Sequence, residues 1–345
     1  MKTKIETHVI LNKSRITTAK ILSNIFMTLL IVLLVSCKSD DDTQPFEESF
    51  DGEALQQAIQ EARAENVQSF AITAETGGEV QGEEGTILSF GPNAFEDQNG
   101  NPVTGSVTIE LLEVYDKSKM VLAKLPTNGK RPDGTVETLK SGGEFFINAT
   151  QAGENLTLAT NFMLFAPAAE FDEGMQLFNG VANDCPEPDV ACDVVWEEEE
   201  QGGLEPMQRE GPDGQGVSGY GGFLSNFGWT NIDRWFSDPR PKTTLYVNVP
   251  EGFDDTNCNV YVSYDGEPTA LALLDIYNTE TELFSEHYGQ IPIGLEVHII
   301  FVSIQDDQYV YAIQPTTIEE DHTEVITETS TATEAELVAL INDLP

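Results

Sequence analysis

Few side chains in this 345-residue sequence are suited to covalent chemistry. Ser285 and Glu286 adjoin His287, and this is the one Ser/acid/His cluster that is continuous in the sequence. Nucleophilic catalysis needs a base within reach of the nucleophile, but triads assemble in space, so adjacency alone is weak evidence. His298 alternates with apolar residues, which predicts a strand-surface histidine. No Gly-x-Ser-x-Gly elbow occurs. We therefore predict no catalytic residues and a protein that is not an enzyme.

The sequence also contains few residues at spacings that are typical of metal sites. The four histidines and four cysteines do not form a Cys-x-x-Cys or a similar zinc spacing. The segment 97–101 (Asp-Gln-Asn-Gly-Asn) resembles the first half of a calcium loop, but it has no glutamate at the twelfth position, and its Asn-Gly pair is typical of a hairpin turn. We predict no metal site and no cofactor; Ca²⁺ would bind only if acidic loops converged.

Two further groups of residues are candidates for a role. Cys185 and Cys192 are close enough in sequence to form a disulfide that would leave Cys258 free, although pairing across to Cys258 is also possible. Tyr220, Trp229 and Trp235 are rings that could form a ligand platform, for example for sugars. The alternative is that aromatic residues at period-two spacing pack in a core, and we expect Phe223, Phe227 and Trp229 to be mainly buried.

Glu113 is unusual because, in a predicted strand over 103–115, it would lie on the same face as the apolar residues. An acid on an apolar face must be paired or must lie beyond the core. Lys117 and Lys119 are the nearby partners that the sequence offers.

Secondary-structure patterns explain how these residues would be positioned. Apolar residues at helical spacing predict a short helix over 52–66, and Thr333, Glu334 and Glu336 open a C-terminal helix. Between them, short alternating runs separated by Gly and Asn-Gly turns predict many strands. The predicted fold class is mainly β, with two β-sandwich-like domains, a short N-terminal helix and a C-terminal helix.

One part of this pattern resembles a known family. Gly85-Thr-Ile, Gly91-Pro-Asn-Ala-Phe95, Pro102-Val-Thr-Gly105 and Val107-Thr-Ile-Glu110 look like a β domain that recurs in Bacteroidetes cell-surface and secreted proteins. That domain is distantly similar to the β-sandwich interaction module of ankyrins and netrin receptors. The resemblance covers residues 69–168 and implies a sandwich fold, and it carries over no catalytic residue.

The N-terminus has the pattern of an export signal. A basic stretch precedes an apolar run that is too short to span a bilayer comfortably. The run ends in Leu34-Val-Ser-Cys37, which resembles the lipobox of bacterial lipoproteins and implies lipid attachment to Cys37. The acidic stretch after it resembles the surface-export tag of Bacteroidetes lipoproteins, and its residues are Ser39, Asp40, Asp41 and Asp42.

These observations predict five segments. They are a signal peptide (1–36), a lipidated acidic tether (37–50), a short helix with the first β-sandwich domain (51–168), an acidic connection rich in Gly and aromatic residues (169–242), and a second β-rich domain with the C-terminal helix (243–345).

The formal net charge of −42 disfavours nucleic acid as a partner. We predict a lipid-anchored outer-membrane protein, exposed at the cell surface, with a non-enzymatic binding or scaffolding role. Its partners would be the membrane, through the lipid anchor, and a glycan or another surface protein. The alternative functions are a surface glycan-binding lipoprotein and, third, a hydrolase of unknown substrate.

Overall fold

A computed structural model describes residues 50, 52–182, 185, 188–199, 203–211, 214–286 and 289–345. All of these residues belong to one compact unit. The mainly β fold class is confirmed, as are a helix near the N-terminus and a helix at the C-terminus.

Three helices occur in the described residues: α1 (Gly52–Glu65), α2 (Lys117–Leu122) and α3 (Glu334–Asn342). Helix α1 buries Leu55 and Ile59, and with them Arg63. Helix α3 begins with a capping box, in which the Thr333 hydroxyl accepts from the Glu336 amide and the Glu336 carboxylate accepts from the Thr333 amide. Among the described residues, no helix is long and apolar enough to cross a membrane.

The strands are numbered in chain order. Those before residue 170 are β1 (Gln68–Thr73), β2 (Gly78–Gln81), β3 (Ile87–Phe90), β4 (Phe95–Glu96), β5 (Ser106–Val114), β6 (Asn128–Lys130), β7 (Val136–Gln151), β8 (Glu154–Asn155), β9 (Thr157–Leu158) and β10 (Phe162–Pro167). The next are β11 (Gln176–Val181), β12 (Val195–Glu198), β13 (Leu204–Glu210), β14 (Gly216–Leu224) and β15 (Gly228–Trp235). The last are β16 (Lys242–Thr243), β17 (Tyr246–Asn248), β18 (Cys258–Tyr264), β19 (Leu271–Leu273), β20 (Ile276–Asn278), β21 (Leu283–Ser285), β22 (Ile291–Pro292), β23 (Glu296–Gln305), β24 (Gln308–Thr317), β25 (Thr323–Val325) and β26 (Ser330–Ala332).

The largest sheet has eight strands and is organised around β7. Its order is β1-β5-β7-β15-β11-β12-β6, and β8 pairs with the end of β7. Strand β6 pairs with both β12 and β7, so the strands β7, β15, β11, β12 and β6 form a closed ring. The long strand β7 therefore pairs with four strands of this sheet: β5, β6, β8 and β15.

A second sheet has five strands in the order β13-β14-β10-β3-β2. The two sheets share one apolar cluster, which contains Ile109 and Ile147 from the eight-stranded sheet and Leu88 and Leu164 from the five-stranded sheet. Alternate residues of a strand point to opposite faces, so one face of each sheet supplies side chains to this cluster.

The segment 169–242, which we predict as a connection, supplies five strands of these two sheets. Strands β11, β12 and β15 extend the eight-stranded sheet, and β13 and β14 extend the five-stranded one. Glycines make this close packing feasible: a Cβ on Gly219 of β14 would lie 2.1 Å from the carbonyl oxygen of Ala166 on β10. The sequence pattern that looked like a linker is therefore that of glycine-rich strands.

The C-terminal part contains the sheets β19-β18-β23-β24-β26 and β20-β21-β17-β25, with the pair β16-β22, and β4 pairs with β9 in the N-terminal part. Val247, Val262 and Ile299 belong to an apolar cluster of this region. On the other face of β18 and β23, Tyr261 and Ile300 join a cluster that also contains residues of the helices and of the eight-stranded sheet. Apolar packing is thus continuous between the N-terminal and C-terminal strands.

Candidate functional site

Several predicted site residues lie outside the described residues. These are the lipid-attachment residue Cys37, the export-tag residues Ser39, Asp40, Asp41 and Asp42, and His287. The anchor, the tag and any role of His287 therefore stay predictions.

The structure pairs Cys185 with Cys192 in a disulfide whose Cα atoms are 5.8 Å apart. Cys258 is a buried free thiol, and burial raises its pKa well above the usual range. Asp189 lies near both bonded sulfurs, but bonded sulfurs are not the thiolates that bind a metal. The loop is therefore held by a covalent bond.

The segment 97–101 forms a turn that uses its own carboxylate. Asp97 Oδ1 accepts hydrogen bonds from the Asn99 and Asn101 amides at 2.8 and 2.9 Å, and Gly100 has a φ of 77°. These bonds, first that of the Asn101 side chain, hold the pKa of Asp97 below its usual value. The carboxylate thus closes the turn, as expected for a hairpin.

Glu113 is buried in a group of residues that we call the Glu113 cradle: Gln68, Gly82, Glu84 and Thr86. Its Oε2 accepts from Gln68 Nε2 at 2.8 Å and from the Glu84 amide at 3.1 Å, and its Oε1 accepts from the Thr86 amide at 3.0 Å. A Cβ on Gly82 would lie 2.1 Å from Oε2, so the turn needs glycine there. The expected lysine partners do not bond to it: Lys117 donates to Ser263 and Lys119 to Glu84.

A second polar cluster contains the residue types of hydrolytic catalysis. His298 Nδ1 lies 2.7 Å from Asp265 Oδ1, and Ser263 pairs with His298 across β18 and β23. The Ser263 side chain is 0% exposed, and its hydroxyl accepts a hydrogen bond from Lys117 Nζ at 2.6 Å. A nucleophile must be reachable by its substrate, and this hydroxyl is enclosed in the protein.

The three rings proposed as a ligand platform do not share one exposed surface. Tyr220 is 2% exposed and Trp229 is 6% exposed. Trp235 is half-buried: Arg131 lies over its ring at 3.9 Å, and its Nε1 donates to Glu198. Phe223, in contrast, is 65% exposed. The sequence-based expectation that Phe223 is buried is therefore wrong. The reason is that the chain does not run as one strand from 219 to 236.

The connection from β14 to β15 has a turn at 225–227 that carries the chain from the five-stranded sheet to the eight-stranded sheet. Phe223 is near the end of β14 and points away from the core, whereas Phe227 packs against Phe90, Phe95 and Phe162. The turn therefore has one ring in solvent and one ring against the core.

A cavity of about 180 Å³, which we call the Phe223 pocket, lies where the ends of the two sheets meet at this turn. Its polar walls are amide, hydroxyl and carboxylate side chains, and its apolar walls are side chains of both sheets. The main lining residues are Asn161, Leu177, Asn179, Glu199, Phe223, Ser225, Asn226, Phe227 and Trp229.

Hydrogen-bonding capacity in the Phe223 pocket is only partly used. Asn179 Nδ2 donates to Glu199 Oε2 at 2.6 Å, which fixes these two side chains side by side. Asn161, Ser225 and Asn226 are exposed. The buried Trp229 Nε1 has no hydrogen-bond partner in the part of the chain that the structure describes. The pocket thus offers donors and acceptors beside an exposed aromatic ring.

This arrangement suits binding of a small polar ligand. Amides and carboxylates can bond to hydroxyl groups as donors and acceptors, and an aromatic face accepts an apolar ring face. The cavity is smaller than the roughly 300–1,000 Å³ of pockets for larger ligands, so it would accommodate one small ring. The lining residues that the structure describes include no histidine or lysine that could act as a base toward Ser225.

Sequence patterns indicated one segment of this pocket, residues 219–236, but not the residues from other parts of the chain that line it. Asn161, Asn179 and Glu199 come from three different parts of the chain, and no spacing in the sequence links them. Only the glycine-flanked aromatic run at 219–236 indicated the region.

A scan against protein-family models found no match for the chain, and a search of the curated proteins found none either.

Proposed function

We propose that this protein is a membrane-anchored surface lipoprotein with a non-enzymatic binding role, and that its ligand binds in the Phe223 pocket. The observation that carries the proposal is an exposed aromatic ring, Phe223, beside a cavity with exposed amide and hydroxyl groups. Ligand sites combine apolar contact with a few fixed polar groups in this way.

The proposed architecture is a pair of β-sandwich-like regions. The first is supported by the shared apolar cluster between the eight-stranded and five-stranded sheets. The second is supported by the C-terminal cluster, in which Val247 of one sheet and Val262 of another occur together. In this proposal the sandwiches are rigid supports and the β14–β15 turn is the binding element.

The proposed location is the outer membrane, at the cell surface. It rests on the basic and apolar N-terminal segment, on Cys37 directly after the apolar run, and on the acidic residues 40–42. Several acyl chains anchor a protein durably where a single chain does not. A clickable fatty acid should label the wild-type chain and leave Cys37→Ala unlabelled, and equal labelling of both would refute the anchor.

A non-enzymatic role is supported by the enclosure of Ser263 and by the bond that its hydroxyl accepts from Lys117. Turnover of an ester, glycan or peptide that disappears in His298→Ala or His287→Ala would overturn it. Loss of turnover in either variant would point to a histidine that acts as a base.

The second candidate function is glycan binding, which the exposure of Phe223 specifically favours over a purely scaffolding role. A sugar ring offers an apolar face to the aromatic ring and hydroxyl groups to Asn161, Ser225 and Asn226. A glycan array probed with the mature chain tests this candidate. Binding to a defined set of sugars is expected, and a blank array would leave a protein partner as the ligand class.

A further inference from the structure

The centre of the eight-stranded sheet contains a buried polar cluster that the proposed function does not use. Its members are Ser141 and Glu144 on β7 and Asn231 and Asp233 on β15, and each is 6% exposed or less. Glu144 pairs with Asn231, and Ser141 pairs with Asp233. The register shift between Asn231 and Asp233 keeps these four side chains on one face of the sheet.

The hydrogen bonds inside the cluster do not reach every carboxylate oxygen. Ser141 Oγ donates to Asn231 Oδ1 at 3.0 Å, and Asn231 Nδ2 donates to Asp233 Oδ2 at 2.7 Å. Among the described residues, Glu144 Oε1 and Glu144 Oε2 have no hydrogen-bond partner, whereas the Asp233 carboxyl group is also approached by Ser141 and by the Gly142 amide. Glu144 itself is 0% exposed, so water does not reach these atoms from the surface.

The positive charge that acts on Glu144 does not compensate for two buried carboxylates. Arg63 attracts Glu144 electrostatically, but its guanidinium donates to the carbonyls of Ala123, Lys124 and Ala191 and to Asp193. A buried carboxylate needs a cation, a set of donors or a proton. The described part of the chain supplies no donor to Glu144, so the choice lies between a bound cation and protonation.

We propose that Glu144 and Asp233 bind a Ca²⁺ ion inside the sheet. Two carboxylates balance the charge of a divalent ion. The oxygens of Glu144 and Asp233, with those of Asn231 and Ser141 beside them, are the hard donors that Ca²⁺ prefers. A site without access to bulk water favours Ca²⁺ over Mg²⁺, because Mg²⁺ usually keeps several waters. The ion would join β15 to β7 and stabilise the centre of the sheet.

The proposal is independent of the Phe223 pocket, because the two sites share no residue. In the cation-free protein, burial raises the pKa of both carboxyl groups well above the usual range. Protonated carboxyl groups are therefore the competing explanation, and the experiment must separate them from an ion.

The test is to measure the metal content and the thermal stability of the full chain, purified without chelator. We expect about one Ca²⁺ per chain by elemental mass spectrometry. We also expect the melting temperature to fall by roughly 3–8 °C after EDTA treatment, to recover with Ca²⁺, and not to recover with the same concentration of Mg²⁺.

Glu144→Gln and Asp233→Asn should each lose the bound ion and the response to Ca²⁺. Glu113→Gln is the matched control, because it changes a buried acid whose oxygens are all bonded; it should lower the melting temperature equally with and without Ca²⁺. Absence of Ca²⁺ from the wild-type chain, or an unchanged response in Glu144→Gln and Asp233→Asn, would overturn the proposal. If either variant fails to fold, the wild-type metal content and the other variant decide.

Discussion

The Glu113 cradle and the Phe223 pocket both contain carboxylate and amide groups, but they differ in where the hydrogen bonds go. In the cradle, Glu113 receives its three hydrogen bonds from within the fold. In the pocket, Asn161, Ser225 and Asn226 face solvent, and Phe223 is the most exposed large apolar side chain of the described residues. The cradle is complete by itself, and the pocket is not.

This difference separates a structural polar site from a binding site. A buried carboxylate that is fully bonded rigidifies the elements around it, and it has no capacity left for a ligand. A pocket with unused donors and an exposed ring can gain hydrogen bonds and lose exposed apolar surface when a ligand binds. The cradle should therefore affect stability when altered, whereas the pocket should affect binding.

The largest effect on stability is expected from Glu113→Ala. The change removes the acceptor of the buried Thr86 amide and of two partly buried donors, and each unsatisfied donor is costly, so the free energy of unfolding should fall by about 3–5 kcal/mol. Urea denaturation measures this loss. The exposed neighbour Glu83 is the control, and Glu83→Ala should change stability by less than about 0.5 kcal/mol. Equal effects of the two variants would contradict the structural role of the cradle.

Phe227→Ala should have the next largest effect. Its ring is half-buried and stacks on Phe95 and Phe162, so its removal leaves part of a cavity, and we expect a loss of about 2–4 kcal/mol. A thermal or urea melt measures the change. A melting temperature identical to that of the wild type would mean that the β14–β15 turn is not tied to the core, and the pocket would then not be preformed.

Sequence patterns predicted the fold class and the terminal helices because those signals are local. Apolar spacing and a capping box define α1 and α3 within a few residues. They failed at 219–236, where a single alternating run was expected. A turn at 225–227 separates β14 from β15, and it leaves Phe223 exposed and Phe227 half-buried against the core. Alternation of apolar residues does not reveal on which side of a turn a ring lies.

The candidate site was less predictable than the fold because it is assembled from distant segments. The sequence marked Glu113 as a misplaced acid, but the donors that satisfy it are mostly backbone amides, which leave no signature in a sequence. Glu144 was missed altogether, since Gly142 and Gly143 interrupt the alternation that would have placed it on a buried face.

Lys117 lies between these two cases, because this buried charge has one hydrogen bond, to Ser263. Burial lowers the pKa of Lys117 from 10.5 to about 8. Above pH 8 the folded protein releases this proton, whereas the unfolded chain keeps it up to about pH 10.5. The unfolded state then binds more protons, so the contribution of Lys117 to stability rises with pH through this window.

We expect the stability of the wild type relative to Lys117→Met to rise by about 1 kcal/mol between about pH 7.5 and pH 9. Using the difference between the two proteins cancels the opposite effect of Cys258, whose burial raises its pKa. Lys130→Met, which removes an exposed lysine instead, is measured in parallel as the control. Parallel pH curves for the wild type and Lys117→Met would show that the buried lysine does not titrate in this range.

The smallest effect on stability, and the largest on binding, is expected from Phe223→Ala. The ring is 65% exposed and contributes little to the core, so the free energy of unfolding should change by less than about 0.5 kcal/mol. If the Phe223 pocket is the binding site, the same change removes its one exposed ring and should weaken the affinity for the ligand found on a glycan array by about 10-fold or more. Leu340→Ala, which truncates an exposed apolar residue of α3, is the matched control and should leave both properties unchanged.

Binding that survives Phe223→Ala but not Leu340→Ala would move the site to the helical surface. A large loss of stability in Phe223→Ala would make the ring a structural residue, like Phe227, and would remove the distinction between the cradle and the pocket.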